Sequence, residues 1–132
     1  MRNVKLFKKR FQMKKLKCHC GTVKAEINVP ENFEKVLRCN CSLCKRKGAL
    51  MTLVKNEDFK ITNGADKISL YQFHTKVAKH YFCSICGIYT HHNPRSNPAM
   101  TGFNIGCIDE FDTFSLKNIS IIDGLNHPLD KK

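Results

Sequence analysis

Three thiols fall within six residues in Cys39-Asn40-Cys41-Ser42-Leu43-Cys44. Clustered cysteines at such spacing are soft ligands suited to zinc, and the number of ligands separates two chemistries. A structural zinc is closed by four protein ligands, whereas a catalytic zinc keeps three and leaves a position for water or substrate. No fourth Cys or His lies close to this run, but four more cysteines bracket it, Cys18 and Cys20 upstream and Cys83 and Cys86 downstream. The chain therefore reads as a scaffold closed by one four-thiolate zinc that holds a three-thiolate zinc, two ions per chain. The open position would take a substrate thiol as thiolate, because a coordinating thiol is deprotonated outright. That points to a thiol substrate such as glutathione.

Cys83-x-x-Cys86-Gly87 is a zinc-knuckle spacing, and the glycine permits the tight backbone after the second ligand. Cys18-His19-Cys20-Gly21 supplies a second knuckle. Spacing alone also allows Cys83 and Cys86 to complete the site of Cys39, Cys41 and Cys44, leaving Cys18 and Cys20 idle. The split of four plus three is preferred because a single four-ligand zinc would leave three clustered thiols unused. Cys107 stands alone in an apolar run and reads as a buried structural thiol.

Other side chains could serve the open site. His91 and His92 are neighbours, so on a strand they face opposite ways and one of them could line the site as a proton shuttle or donor. Arg95 and Asn97 lie in a proline-braced loop, 93–98, and could grip a carboxylate. Lys45, Arg46 and Lys47 follow the thiol run and could draw in an anionic tripeptide, with a solvated turn as the plain alternative.

These groups need a β scaffold. From Thr22, Val23, Ala25, Ile27 and Val29 alternate with Lys24, Glu26 and Asn28, the pattern of a half-buried antiparallel strand. Short strands are expected over 35–38, 49–55, 79–82, 88–92, 100–108 and 119–123. Runs at 59–61 and 67–73 flank Asn63-Gly64, a strong hairpin signal. No helical period exceeds about two turns, short of the usual three to four.

The bulk composition narrows the class. The 132 residues make one domain, with no apolar run long enough to cross a membrane. A basic start without a following apolar segment is not a secretory signal, so a cytoplasmic location is expected, where eight cysteines favour metal over disulfides. The formal charge is +12, but residues 1–17 hold eight Lys or Arg and no acid, and the remainder carries only +4. Residues 1–12 read as a flexible basic arm, either a short amphipathic helix or disordered, before a domain at 13–132 that starts at a second methionine. Nucleic acid is not expected as a partner, since the excess charge carries no binding motif.

The ordered motifs Cys18-His19-Cys20-Gly21, Cys39-x-Cys41-x-x-Cys44, Tyr81-Phe82-Cys83-x-x-Cys86-Gly87, Asn93-Pro94 and Phe103-Asn104-Ile105-Gly106-Cys107 resemble the glutathione-dependent formaldehyde-activating enzyme family, also called the centromere-protein-V-like family. The resemblance covers about residues 14–124. It implies a mainly β fold, a β-tent of antiparallel strands gathered at zinc knuckles. It also implies a structural zinc at Cys18, Cys20, Cys83 and Cys86 and a catalytic zinc at Cys39, Cys41 and Cys44. The activity implied is that of a carbon–sulfur lyase joining formaldehyde, or a related small aldehyde, to glutathione. The alternative is a non-catalytic zinc module that binds a protein or nucleic acid, and the sequence leaves the oligomeric state open.

Overall fold

The computed structural model describes residues 11–30 and 35–126. Most of the expected basic arm, 1–10, lies outside the described residues. Its last two residues, Phe11 and Gln12, open a strand.

Among the described residues, ten strands form two sheets. The smaller has the order β1 (Phe11–Lys17), β2 (Lys24–Pro30), β5 (Phe59–Asn63), all antiparallel. The larger runs β10 (Ile119–Ile122), β3 (Val36–Cys39), β4 (Met51–Lys55), β9 (Met100–Asn104), β8 (Tyr89–Asn93), β7 (Lys79–Cys83), β6 (Ile68–Tyr71). Its pairs are antiparallel except β10 against β3, which is parallel, so the fold is mainly β and mostly antiparallel, as expected. The single α-helix among the described residues, α1 (Ser42–Lys47), is under two turns long.

The core lies between the sheets. On β2 the alternation read from sequence buries Ala25, Ile27 and Val29, which pack with Leu16 of β1 and with Val36, Val54 and Phe103 of the larger sheet. Strand β1 itself was not expected. It turns Phe11 and Met13 outward and Gln12, Lys14 and Leu16 inward, so its pattern is not that of an amphipathic strand. Lys14 is accommodated on the inner face by an ion pair with Glu110 at 3.2 Å.

The Asn63-Gly64 turn exists but does not close a hairpin. Its flanking strands go to different sheets, β5 to β2 and β6 to β7. The Asn63 amide donates to the Thr22 carbonyl at 2.8 Å, and Gly64 takes φ +77°. A β-carbon at Gly64 would run into the Thr22 carbonyl. The turn is thus docked on the entry to β2, and the Gly64 carbonyl accepts from Lys67 at 2.9 Å as the chain corners from one sheet to the other. The run expected to be strand through Ile108 ends at Asn104, whose side chain accepts from the Gly106 amide and winds Ile105–Cys107 into a 3-10 turn.

Candidate functional site

Two knuckles of like construction face each other across the sheets. After β1, the Cys18 amide donates to the Val23 carbonyl and the Gly21 amide to the Cys18 carbonyl, with Gly21 at φ +84°. After β7, the Cys83 amide donates to Ile88 and the Gly87 amide to Cys83, with Gly87 at φ +79°. Each turn aims backbone N–H groups at its first sulfur: Val23 at Cys18 Sγ, 3.3 Å, and Ile85 and Cys86 at Cys83 Sγ, 3.4 and 3.5 Å. Burial, opposed by the Val23 donor, pushes the Cys18 thiol up.

The four sulfurs of Cys18, Cys20, Cys83 and Cys86 lie within 4.8 Å of one another. Cys18–Cys20 is 3.6 Å and Cys20–Cys83 is 3.7 Å. A tetrahedron with metal–sulfur arms of about 2.3 Å has edges of about 3.8 Å, so this set fits one zinc-sized ion. Cys83 and Cys86 thus join Cys18 and Cys20 rather than the other three thiols.

The sulfurs of Cys39, Cys41 and Cys44 form a second group, also within 4.8 Å. Cys39 ends β3. Cys41 caps α1, its Sγ accepting from the Cys44 amide at 3.3 Å, and Cys44 sits in the first turn. Gly48 ends the helix in the left-handed region at φ +64° and bonds back to the Cys44 carbonyl. No other Cys, His, Asp or Glu among the described residues joins this group. The Cys44 hydrogen bond holds the Cys39 thiol down to about 5, against burial. The same bond, with burial second, pushes the Cys44 thiol far up. Three thiolates this close repel one another, and a divalent metal ion would supply the balancing charge. The donor set therefore fits a metal with three protein ligands.

The segment that follows β10 covers this group. Gly124 is buried against it, and a β-carbon there would meet Cys39 Sγ at 2.5 Å and Cys41 Cβ at 2.9 Å. Asn40 clamps the segment, its amide donating to Asp123 at 3.2 Å and its carbonyl oxygen accepting from the Leu125 amide at 2.9 Å.

A cavity of about 270 Å³ opens on the three thiols. Arg95, Ser96 and Asn97 are among its lining residues, and so are His80 and His92. His91 is not: it stacks between Phe59 and Tyr81, with ring centroids 4.6 and 4.5 Å away. Lys45 is exposed and is also outside the lining, as is Arg46. Cys107 is buried, its Sγ 3.7 Å from the Tyr89 carbonyl, and burial pushes its thiol up to about 12.

Sequence reasoning did not find His80, Tyr89, Gly102 or Gly124, nor the buried contacts of Lys47. Lys47 Nζ lies 3.1 Å from His80 Nδ1 and 3.8 Å above the Tyr89 ring. Tyr89 Oη lies 2.6 Å from His92 Nδ1, and the His80 and His92 rings stack at 5.7 Å. Gly102 leaves room for the His92 ring, which a β-carbon there would strike. Burial, then the Lys47 charge, pushes His80 down to about 4 and His92 down to about 3. Burial, with the nearby Cys44 second, holds the Tyr89 hydroxyl well above its ordinary value. Tyr89 thus stays protonated, and its hydroxyl shares a hydrogen bond with His92 Nδ1 in which either atom can donate, while the Lys47 ammonium, a donor only, donates to His80 Nδ1. The neutral His80 imidazole then carries its proton on Nε2, as does that of His92 where Tyr89 is the donor.

The register of the β7–β8 hairpin decides which histidine meets His80. The hydrogen bond from Cys83 to Ile88 sets the hairpin register, and simple counting from it pairs residue 80 with 91. A bulge between Tyr81 and Phe82 shifts the pairing by one, so that His80 faces His92.

The family model described as glutathione-dependent formaldehyde-activating enzyme matches residues 13–120. A crystal structure of a Rhodobacter sphaeroides protein is similar, with a TM-score of 0.78 and 40% identity over 82% of this chain and 99% of that one. Relatives from Penicillium rubens and Pyrenophora teres, provisionally named glutathione-dependent formaldehyde-activating enzymes, are 29% identical over 79 residues and 30% over 83. These matches cover 57% and 60% of this chain, and only 41% and 43% of the relatives' own length. No helix among the described residues is long and apolar enough to cross a membrane. The chain belongs to the glutathione-dependent formaldehyde-activating enzyme family.

Proposed function

We propose that the protein joins formaldehyde, or a related small aldehyde, to glutathione or a glutathione-like thiol, giving the S-hydroxymethyl adduct, and runs the reverse carbon–sulfur cleavage. The observation that carries this reading is a three-thiol group with no fourth protein ligand among the described residues, set against a cavity with two imidazoles. A zinc ion at Cys39, Cys41 and Cys44 would supply a site for the substrate sulfur as thiolate, or polarise the aldehyde oxygen. Cys18, Cys20, Cys83 and Cys86 would hold the second, structural ion. A β-tent architecture and a cytosolic setting go with this reading, the latter supported by eight cysteines with no disulfide.

In the addition, the sulfur lone pair forms a bond to the carbonyl carbon and the carbonyl π pair moves to oxygen. That oxygen gains a proton, and the thiol loses one, so the equation balances. His80, and His92 where Tyr89 donates to it, are suited to donate from Nε2 to the oxygen as its charge develops. Burial and the Lys47 charge keep them neutral, so they act as hydrogen-bond donors rather than as imidazolium acids at neutral pH. Arg95 and Asn97 at the rim are suited to the carboxylates of a tripeptide thiol. Holding thiol and aldehyde together makes a two-body reaction effectively one-body.

Exchange NMR between formaldehyde, glutathione and their adduct tests the activity against the uncatalysed background. The zinc-loaded protein is expected to accelerate exchange in proportion to its concentration, and Cys41→Ser to abolish the acceleration while remaining folded. Exchange at the background rate throughout would contradict the proposal.

A further inference from the structure

The cavity is built unlike a site for a one-carbon aldehyde. Leu37 and Met51 are buried and pack directly on Cys44, and Leu53 packs on the same cluster together with Cys39 and Cys41. Leu37, Met51 and Leu53 all line the cavity. They come from the adjacent strands β3 and β4, so this floor is part of the sheet. The apolar surface thus begins at the ligand cysteines, where the group joined to a substrate sulfur would lie. Phe73 and Leu125 add apolar side chains to the lining.

Apart from the buried His80 and His92, the polar lining residues are arranged differently. Ser42, His74, Thr75, Ser96 and Asn97 are exposed, and Arg95 is half-buried. They form a rim. A tripeptide thiol carries two carboxylates and an ammonium, and burying any of them on Leu and Met side chains without a partner is costly. Its body therefore belongs at the rim, with only its sulfur reaching the thiol group. Formaldehyde would then add one carbon and one oxygen. A water molecule occupies about 30 Å³, and formaldehyde has only one heavy atom more. A cavity of about 270 Å³ with an apolar floor is not filled by that group. Apolar surface facing water at a substrate position is unfavourable, and an alkyl group laid on it is favourable in proportion to the area covered.

We propose that the carbonyl substrate of this site carries an apolar chain, which lies on the floor of Leu37, Met51 and Leu53 while the thiol's charged body stays at the rim. This rests on the thiol–carbonyl reading of the same site and narrows its substrate class from formaldehyde to aldehydes with an aliphatic substituent. The reaction is the same addition, with the sulfur–carbon bond formed at a substituted carbon and the proton balance unchanged.

S-alkylglutathiones are stable probes of the floor, because they carry the chain on sulfur and have no ionisable thiol. Calorimetric titration of the zinc-loaded protein with the S-methyl, S-butyl and S-hexyl compounds should show binding that tightens about three- to fourfold per added methylene. Leu53→Asn should flatten the series, and Phe73→Ser, in a loop rather than a strand, gives a second variant should the first fail to fold. Arg95→Ala should weaken every member by a similar factor and leave the slope. Equal affinity from methyl to hexyl would overturn the proposal, and so would a slope unchanged in both floor variants. The thiolate-ligation reading is scored separately by the cobalt spectrum with glutathione. A spectral response with a flat alkyl series would sink the apolar chain alone. A steep series without the response would sink direct sulfur ligation alone.

Discussion

The two thiol groups use the same ligand in opposite ways. Cys18, Cys20, Cys83 and Cys86 come from two knuckles far apart in the chain, one after β1 and the other after β7. They form a set of four with backbone donors on its sulfurs, complete in itself. Cys39, Cys41 and Cys44 come from one short segment and form a set of three beside a cavity. The first arrangement ties distant strands together and has no position for a substrate. The second contributes little to holding the chain but has a side left open. Ligand number sets coordination, and loop length sets stability.

The largest effect expected from this contrast is on folding. Cys83→Ser should destabilise the protein by several kcal/mol, because binding of a structural zinc contributes about 10–16 kcal/mol to folding in small domains. Cys44→Ser should cost only about 1–2 kcal/mol while abolishing the catalysed exchange. Thermal melts of both variants measure the difference, and equal losses or the reverse order would break the contrast.

Acid sharpens it next. Strands β7 and β8 link the two thiol sets and carry buried imidazoles. Burial holds His91 down to about 4 against an ordinary 6.5. Above pH 6.5 both folded and unfolded forms are neutral, so there is no penalty. As pH falls from there toward 4, the unfolded chain takes up a proton that the folded one does not. Stability then drops by up to about 3 kcal/mol from this group alone. Acid also releases thiolate-bound metal, so wild type should be compared with His91→Phe, which has the same thiols. The variant should lose stability less steeply below pH 6.5. Parallel curves would mean that His91 contributes nothing to the acid response, leaving it to metal release and to His80 and His92.

A smaller change should reach only the open set. Gly124→Ala places a methyl group against Cys39 Sγ and Cys41 Cβ. It should lower stability by about 1–2 kcal/mol and reduce bound metal from two ions to one. Two ions retained at wild-type affinity would show that the C-terminal segment yields freely and does not shape the site.

The pattern of what the sequence revealed follows the range of the interactions. Both thiol sets were legible, because ligands in knuckles recur at short fixed spacings. Strand β2 was legible from Ala25, Ile27 and Val29. Strand β1 was not, because it turns Phe11 and Met13 to solvent and keeps Lys14 inside through an ion pair with Glu110. Asn63-Gly64 was read correctly as a turn and wrongly as a hairpin, since the Thr22 carbonyl that receives Asn63 lies 41 residues away. At the cavity, a single bulge decides that His92 rather than His91 meets His80, and a one-residue slip of this kind leaves no mark on composition. Gly124 lies far along the chain from the cysteines it covers, so only the parallel pairing of β10 with β3 reveals it.

The central claim is that the three-thiol set has a position for a substrate sulfur and the four-thiol set does not. Cobalt in place of zinc makes this visible through sulfur-to-metal charge-transfer bands. Adding glutathione should change these bands with a pH dependence that reports release of the thiol proton. S-methylglutathione should not reproduce the change, and Cys41→Ser should abolish it while the bands of the four-thiol set persist. A cobalt spectrum unmoved by millimolar glutathione would contradict the claim.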